Sequence, residues 1–174
     1  MQDVSMLNQE VRNIVNYLNL SPHPEGGYFS ENYRSDLVIP KENLSGDYDG
    51  DRNASTAIYF LLPKAHKSHF HRVRSDEAWH FYLGGPCTIV QLFDDGRIES
   101  VVMGKDIMEG EQLQYVVPAN CWFGAFPNEE VEYSLVGCTV APGFDYSDFE
   151  LGRRAQLLEM FPQHKALIED LSLE

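Results

Sequence analysis

Ser68-His69-Phe70-His71-Arg72-Val73-Arg74-Ser75-Asp76-Glu77-Ala78-Trp79-His80-Phe81-Tyr82-Leu83-Gly84-Gly85 reads as two β segments that end on a pair of glycines. Successive side chains of a strand point to opposite faces, so the spacing predicts that His69 and His71 project from one side. The next strand then delivers Glu77 and stops at the glycine turn. Two imidazoles and a carboxylate on one patch can hold a metal, move a proton or grip a polar ligand. If Phe70 were the core residue, both imidazoles would look outward instead; alternation alone does not choose.

Working outward, further short β segments are predicted over 28–33, 56–62, 88–93, 98–103, 114–117, 121–125 and 133–140, beside 69–73 and 77–83. Gly84-Gly85-Pro86, Asp94-Asp95-Gly96 and Pro127-Asn128 supply turn chemistry between them. The Asp-Gly pair marks a hairpin between Phe93 and Ile98. Residues 36–54 read as a long exposed loop. Leu7, Val11, Ile14, Val15 and Leu18 recur at helical spacing, with Asp3 or Ser5 as cap and Pro22 and Pro24 as stop. Near the other end, Ser147 or Asp148 could cap a helix carrying Leu151, Ala155, Leu158 and Phe161. Pro162 breaks it, and a last helix holds Leu167, Ile168 and Leu171. Many strands between terminal helices predict a mainly β protein, a closed or two-sheet antiparallel barrel able to enclose a ligand.

At 174 residues the chain is expected to be one domain. The organisation is an N-terminal helix at about 5–20, a barrel at about 26–142 and C-terminal helices at about 147–172. A formal net charge of -14 argues against nucleic acid or an anionic membrane as the main partner. No apolar run reaches the ~18 residues of a membrane span, and the first residues lack signal-peptide character. Cys87, Cys121 and Cys138 form no Cys-x-x-Cys pair and read as buried apolar residues in a reducing, cytoplasmic setting.

Other residues read more plainly. His80 shares a strand face with Ala78 and Tyr82, opposite Glu77, and is expected to be packed or hydrogen-bonded. His23 and His66 sit in loops and are expected to be solvated. His23-Pro24-Glu25-Gly26-Gly27 reads first as a turn, with a ligand-edge role for Glu25 secondary. Arg34 is expected on one face with Tyr28, Ser30 and Asn32, a strip that suits an oxygen-rich or anionic ligand or else a solvated outer face. Trp79, Trp122 and Phe123 read as core or pocket wall. Pro142-Gly143-Phe144 is expected to anchor the barrel's end onto the final helix.

The spacing His69-x-His71, Glu77, then six residues and Gly84 resembles the first signature of the cupin superfamily, with one residue more than the usual gap before the glutamate. Three blocks are similar to a branch of unknown function, the fifth cupin family: His23-Pro24-Glu25-Gly26-Gly27-Tyr28-Phe29, the run from Phe70 to Gly85, and Pro142-Gly143-Phe144-Asp145 through Phe149-Glu150. The resemblance implies a double-stranded β-helix (jelly-roll) barrel with flanking helices, and a homodimer. The segment matching the second signature, Gly110 then Pro118-Ala119-Asn120-Cys121-Trp122-Phe123, has Phe123 where that signature carries its metal-binding histidine.

Two chemistries follow. His69, His71 and Glu77 could hold iron, manganese, nickel or zinc as a two-histidine, one-carboxylate site. Alternatively, by similarity to metal-free cupins that epimerise keto-sugar nucleotides, His71 is the general base, with His69 beside it. Glu77 or Asp76 would then fix its tautomer, and Tyr28, Tyr59 or Tyr82 would be the acid. The expected cavity lining is His69, His71, Glu77, Tyr59, Trp122 and Phe123, with Tyr28, Arg34 and His80 as further substrate contacts. The ligand would be a small polar (sugar-like) molecule, bound with or without turnover.

Overall fold

The computed structural model describes residues 6–46 and 48–174. Helix α1 (Gln9–Tyr17) is followed by β1 (Ser21–Pro22), β2 (Tyr28–Arg34), β3 (Val38–Ile39), β4 (Arg52–Asn53) and β5 (Thr56–Pro63). Then come β6 (Ser68–Val73), β7 (Asp76–Gly84), β8 (Cys87–Leu92), β9 (Ile98–Met103), β10 (Gln114–Val117) and β11 (Trp122–Pro127). The chain closes with β12 (Tyr133–Ala141), β13 (Phe149–Leu151), α2 (Arg154–Met160) and α3 (Lys165–Leu171).

The strands form two antiparallel sheets, ordered β1-β2-β5-β12-β7-β10 and β13-β6-β11-β8-β9, with β3 and β4 as a small separate ribbon. The larger sheets face each other as a flattened, unclosed barrel. Phe60, Leu62, Trp79, Ile89, Phe123 and Val136 meet between them. Val11 and Val15 seat α1 on Leu61 and Leu135 at the outer face of the six-stranded sheet. Leu157, Phe161, Ile168 and Leu171 seat α2 and α3 on Phe70, Val90 and Trp122 at the outer face of the other. At roughly 25 cal/mol per Å² of apolar surface, these three layers supply the main folding drive.

The predicted strands agree with β2 and β5 through β12 within one or two residues. The Asp94-Asp95-Gly96 hairpin forms as expected, with the Gly96 amide donating to the Phe93 carbonyl (2.8 Å) and Gly96 at φ +82°. Three expectations need correction. The expected caps Asp3 and Ser5 lie outside the described residues; Asn8 caps α1, its side chain accepting from the Val11 amide at 2.9 Å. Leu151 belongs to β13, because 149–151 pairs with 71–73 and this ladder delays the helix to Arg154. The inward residue of α2 is therefore Leu157. Finally, 36–54 is not wholly exposed: Tyr48 and Arg52 are buried, the latter ion-paired with Asp148 at 2.6 Å.

Candidate active site

A cavity of about 260 Å³ opens at one end of the barrel. Its inner part carries His23, Glu25, His71, Glu77 and Cys138; aromatic rings of Phe29, Phe60, Phe144, Tyr146 and Phe149 form the walls. Glu31, Arg34 and Asp145 also line it.

β6 does not alternate cleanly. On β11, Phe123 pairs with His71 and Ala125 with Ser68, so two residues of β6 oppose the single Gly124. This β-bulge shifts the parity of the strand. Ser68 and His71 point inward, and Phe70 packs outward with Trp122 beneath α2 and α3. His69, expected beside His71, is turned aside: its Nδ1 lies 2.6 Å from the Glu25 carbonyl oxygen and it does not line the cavity.

The turn at 23–27 supplies what His69 does not. The Gly26 amide donates to the His23 carbonyl and the His23 amide to the Gly27 carbonyl, both at 3.0 Å. Gly26 has φ +110°, and a Cβ there would collide with the Lys67 carbonyl oxygen, so only glycine lets this turn lie against β6. Glu25 is thereby driven into the barrel, 6% exposed. Its Oε1 accepts from the Ser68 hydroxyl at 2.7 Å, and its Oε2 lies 3.2 Å from both His71 Nε2 and His23 Nδ1. His23, expected to be solvated, is buried against Phe29 (ring centroids 4.6 Å apart) and Phe149 (5.8 Å). Pro24 and the glycines mark the turn in the sequence, but what the turn points at is set by its contact with Lys67 and Ser68, far along the chain.

His71 Nδ1 is 2.7 Å from the His69 carbonyl oxygen, which can only accept, so Nδ1 carries a proton. The tautomer is thus set by backbone, not by Glu77 or Asp76 as expected. Nε2 then faces the Glu25 carboxylate, and a single proton on the Nε2···Oε2 line satisfies both. Burial depresses His71 below the ordinary imidazole value, with Glu25 pulling the other way. Burial would raise Glu25, but the imidazoles of His71 and His23 and the Ser68 hydroxyl outweigh it and hold the carboxyl low. Glu77 is the opposite case: burial first, and the charge of Glu25 second, push it up to about 7. Burial and the neighbouring Glu77 also raise the Cys138 thiol well above its ordinary value, so it is a neutral thiol and not a nucleophile.

Arg34 reaches the cavity by a second bulge. Glu31 pairs with Ile58 and Tyr33 with Ala57, which leaves Asn32 extra and turns Arg34 onto the face of Phe29 and Glu31. It therefore leaves the expected strip with Tyr28, Ser30 and Asn32. The remaining expected contacts lie elsewhere. Tyr28 and Tyr59 pack toward α1 on the outer face of the six-stranded sheet. Trp122 faces α2 and α3. His80 is also on the outer face, its Nε2 3.2 Å from Thr139 Oγ1. Tyr82 lies against Tyr59, ring centroids 6.1 Å apart, and is exposed. Phe123 is inside but deeper, tilted over His71 at 4.1 Å. The 142–149 segment does not anchor the last helix; it forms the mouth, where Phe144 and Tyr146 meet edge to face at 5.1 Å.

The chain belongs to a family described as "Cupin superfamily (DUF985)", whose model matches residues 12–152. It is 34% identical over 147 residues to the uncharacterized protein YML079W of Saccharomyces cerevisiae, covering 79% of this chain and 73% of that one. An X-ray structure of protein SO0799 from Shewanella oneidensis superposes with a TM-score of 0.82 at 39% identity, covering 97% and 99% of the two chains. A cupin 2 domain-containing protein from Halorhodospira halophila has a TM-score of 0.52 at 14% identity over 88% of each chain, a likeness in fold alone. This is a cupin-fold protein, and the family carries no assigned activity.

A metal of the cupin type does not fit these residues. Phe123 occupies the fourth ligand position and presses on His71, His69 is turned aside by the bulge, and His71 Nε2 is already committed to Glu25. Among the described residues no group of three His, Cys, Asp or Glu side chains is placed to hold a metal ion. Among them, too, no helix is long and apolar enough to cross a membrane.

Proposed function

We propose that this protein binds a small polar molecule in the cavity and isomerises it by proton transfer beside a carbonyl. The observation that carries the reading is that two buried carboxyls share one cavity with His71: Glu25, whose Oε2 lies 3.2 Å from His71 Nε2, and Glu77; the imidazoles hold the first low and burial raises the second. Acid–base chemistry at neutral pH needs one group poised to take a proton and another poised to give one. The Glu25–His71 pair, in the form that lacks the shared proton, is the base, taking the substrate proton onto the Nε2···Oε2 line. Glu77, pushed up to about 7 by burial and by the charge of Glu25, is the acid. The volume lies just under the roughly 300–1,000 Å³ of pockets for drug-sized ligands, which suits a molecule of monosaccharide size.

The test is exchange in deuterated water. Reducing sugars and small hydroxy ketones incubated with untagged protein should gain deuterium next to the carbonyl, read by proton NMR. His71→Ala should slow this by about 10²–10⁴-fold. Wild-type exchange in that variant removes His71 from the base. Thermal stabilisation by a compound that never exchanges would make the protein a binder without turnover.

A further inference from the structure

We propose that the ligand of this cavity carries an ammonium group, and that phosphorylated or otherwise anionic small molecules are excluded. The proposal rests on the cavity being a ligand site, and it names the class that site takes.

Arg34 is the one Lys or Arg among the described residues lining the cavity, and it is spent. Its Nε and Nη2 grip both oxygens of Glu31 at 2.8 and 2.7 Å. Nη2 also donates to the Phe144 carbonyl at 3.1 Å, and Nη1 to Asn53 at 2.9 Å. A phosphate entering the mouth would meet a neutralised guanidinium. Deeper in, His71 and Glu25 answer each other. What remains charged without a cationic partner at hydrogen-bond distance is Asp145, whose carboxylate accepts from the Ser147 amide at 2.9 Å.

The rings of Phe29, Phe144, Tyr146 and Phe149 line the same cavity. Aromatic faces attract cations through the ring quadrupole, most strongly where water is excluded. The net charge of -14 adds a field that draws cations toward the surface and repels anions. Among the described residues the lining includes no Asn, Gln or Lys, the usual supplementary partners of sugar hydroxyls or phosphates. Rings and the Asp145 carboxylate together make a cation site, and an amino sugar satisfies it while keeping a carbonyl for proton transfer.

A matched set decides this: glucosamine, glucose and phosphorylated glucose, with choline as a compact cation. Each is tested by calorimetry and thermal shift on the full chain, and the three sugars also for deuterium uptake. Glucosamine or choline is expected to bind about tenfold or more tighter than glucose, with phosphorylated glucose not binding. Glu31→Gln, at an exposed pair, should weaken the ammonium compound and allow phosphorylated glucose to bind. Equal or tighter binding of glucose or its phosphate by wild-type protein overturns the proposal, as does binding of none of the four. Phosphorylated glucose that binds and exchanges overturns this inference and leaves isomerisation standing. Glucosamine that binds without exchange does the reverse.

Discussion

Glu77 shows how one side chain carries both chemistry and a stability cost. Its folded-state value of about 7 lies above the ordinary 4.5, so the folded protein binds a proton that the unfolded chain has lost between those limits. Stability must therefore fall as pH rises through that window, by at most about 3–4 kcal/mol at roughly 1.4 kcal/mol per pH unit. Glu25 and His71, both depressed, act in the other direction and withdraw stability as pH drops through their folded values. Glu77→Gln should abolish the decline between about pH 5 and pH 7 and leave the acid limb intact, as measured by urea titration at several pH values. A variant that keeps the wild-type decline would place the titrating group elsewhere. Sequence reading found Glu77 and His71 through their spacing. It undervalued Glu25, whose carboxylate gains its role from three partners, Ser68, His71 and His23, that meet only in the folded barrel.

Two bulges matter more to the site than any regular strand. The one opposite Gly124 exchanges His69 for Ser68 on the inner face, and the one at Asn32 brings Arg34 into the cavity. Each adds one residue to a ladder and reverses which face all later side chains occupy, so an alternation rule read off the sequence places them wrongly. A Cβ on Gly124 would sit 2.9 Å from the Ser68 carbonyl oxygen, closer than real side chains approach backbone. Gly124→Ala should therefore cost about 1–3 kcal/mol in chemical denaturation, because β6 must shift to admit it. A change within about 0.5 kcal/mol would show that the bulge yields without strain. β5 and β12 were legible because apolar residues run along most of their length, a local signal that needs no knowledge of register.

The mouth of the barrel is held from a distance. Arg52, on the ribbon formed by β3 and β4, grips Asp148 with both Nε (2.6 Å) and Nη2 (2.8 Å), and Arg74 reaches the same carboxylate at 3.2 Å. Arg52 and Asp148 have 4% and 2% of their side chains exposed, so neither charge can turn to water for help. Removing one partner of such a pair typically costs 3–5 kcal/mol. Asp148→Ala should therefore lower the melting temperature by about 10 °C in scanning calorimetry and release the Phe144–Phe149 wall. An unchanged melting temperature would mean that the segment is held by its aromatic contacts alone.

Composition, turn chemistry and hydrophobic period, together with three motif blocks, were enough by themselves to settle a mainly β cupin barrel between helices and to mark His71 and Glu77 as residues of interest, because burial along an element is a local, repeating signal. Which side chains share the cavity was decided only by tertiary structure. A bulge, a glycine turn pressed against a neighbouring strand, and carboxylates whose proton affinity depends on each other are set by contacts between residues far apart in the chain, and no local pattern encodes them.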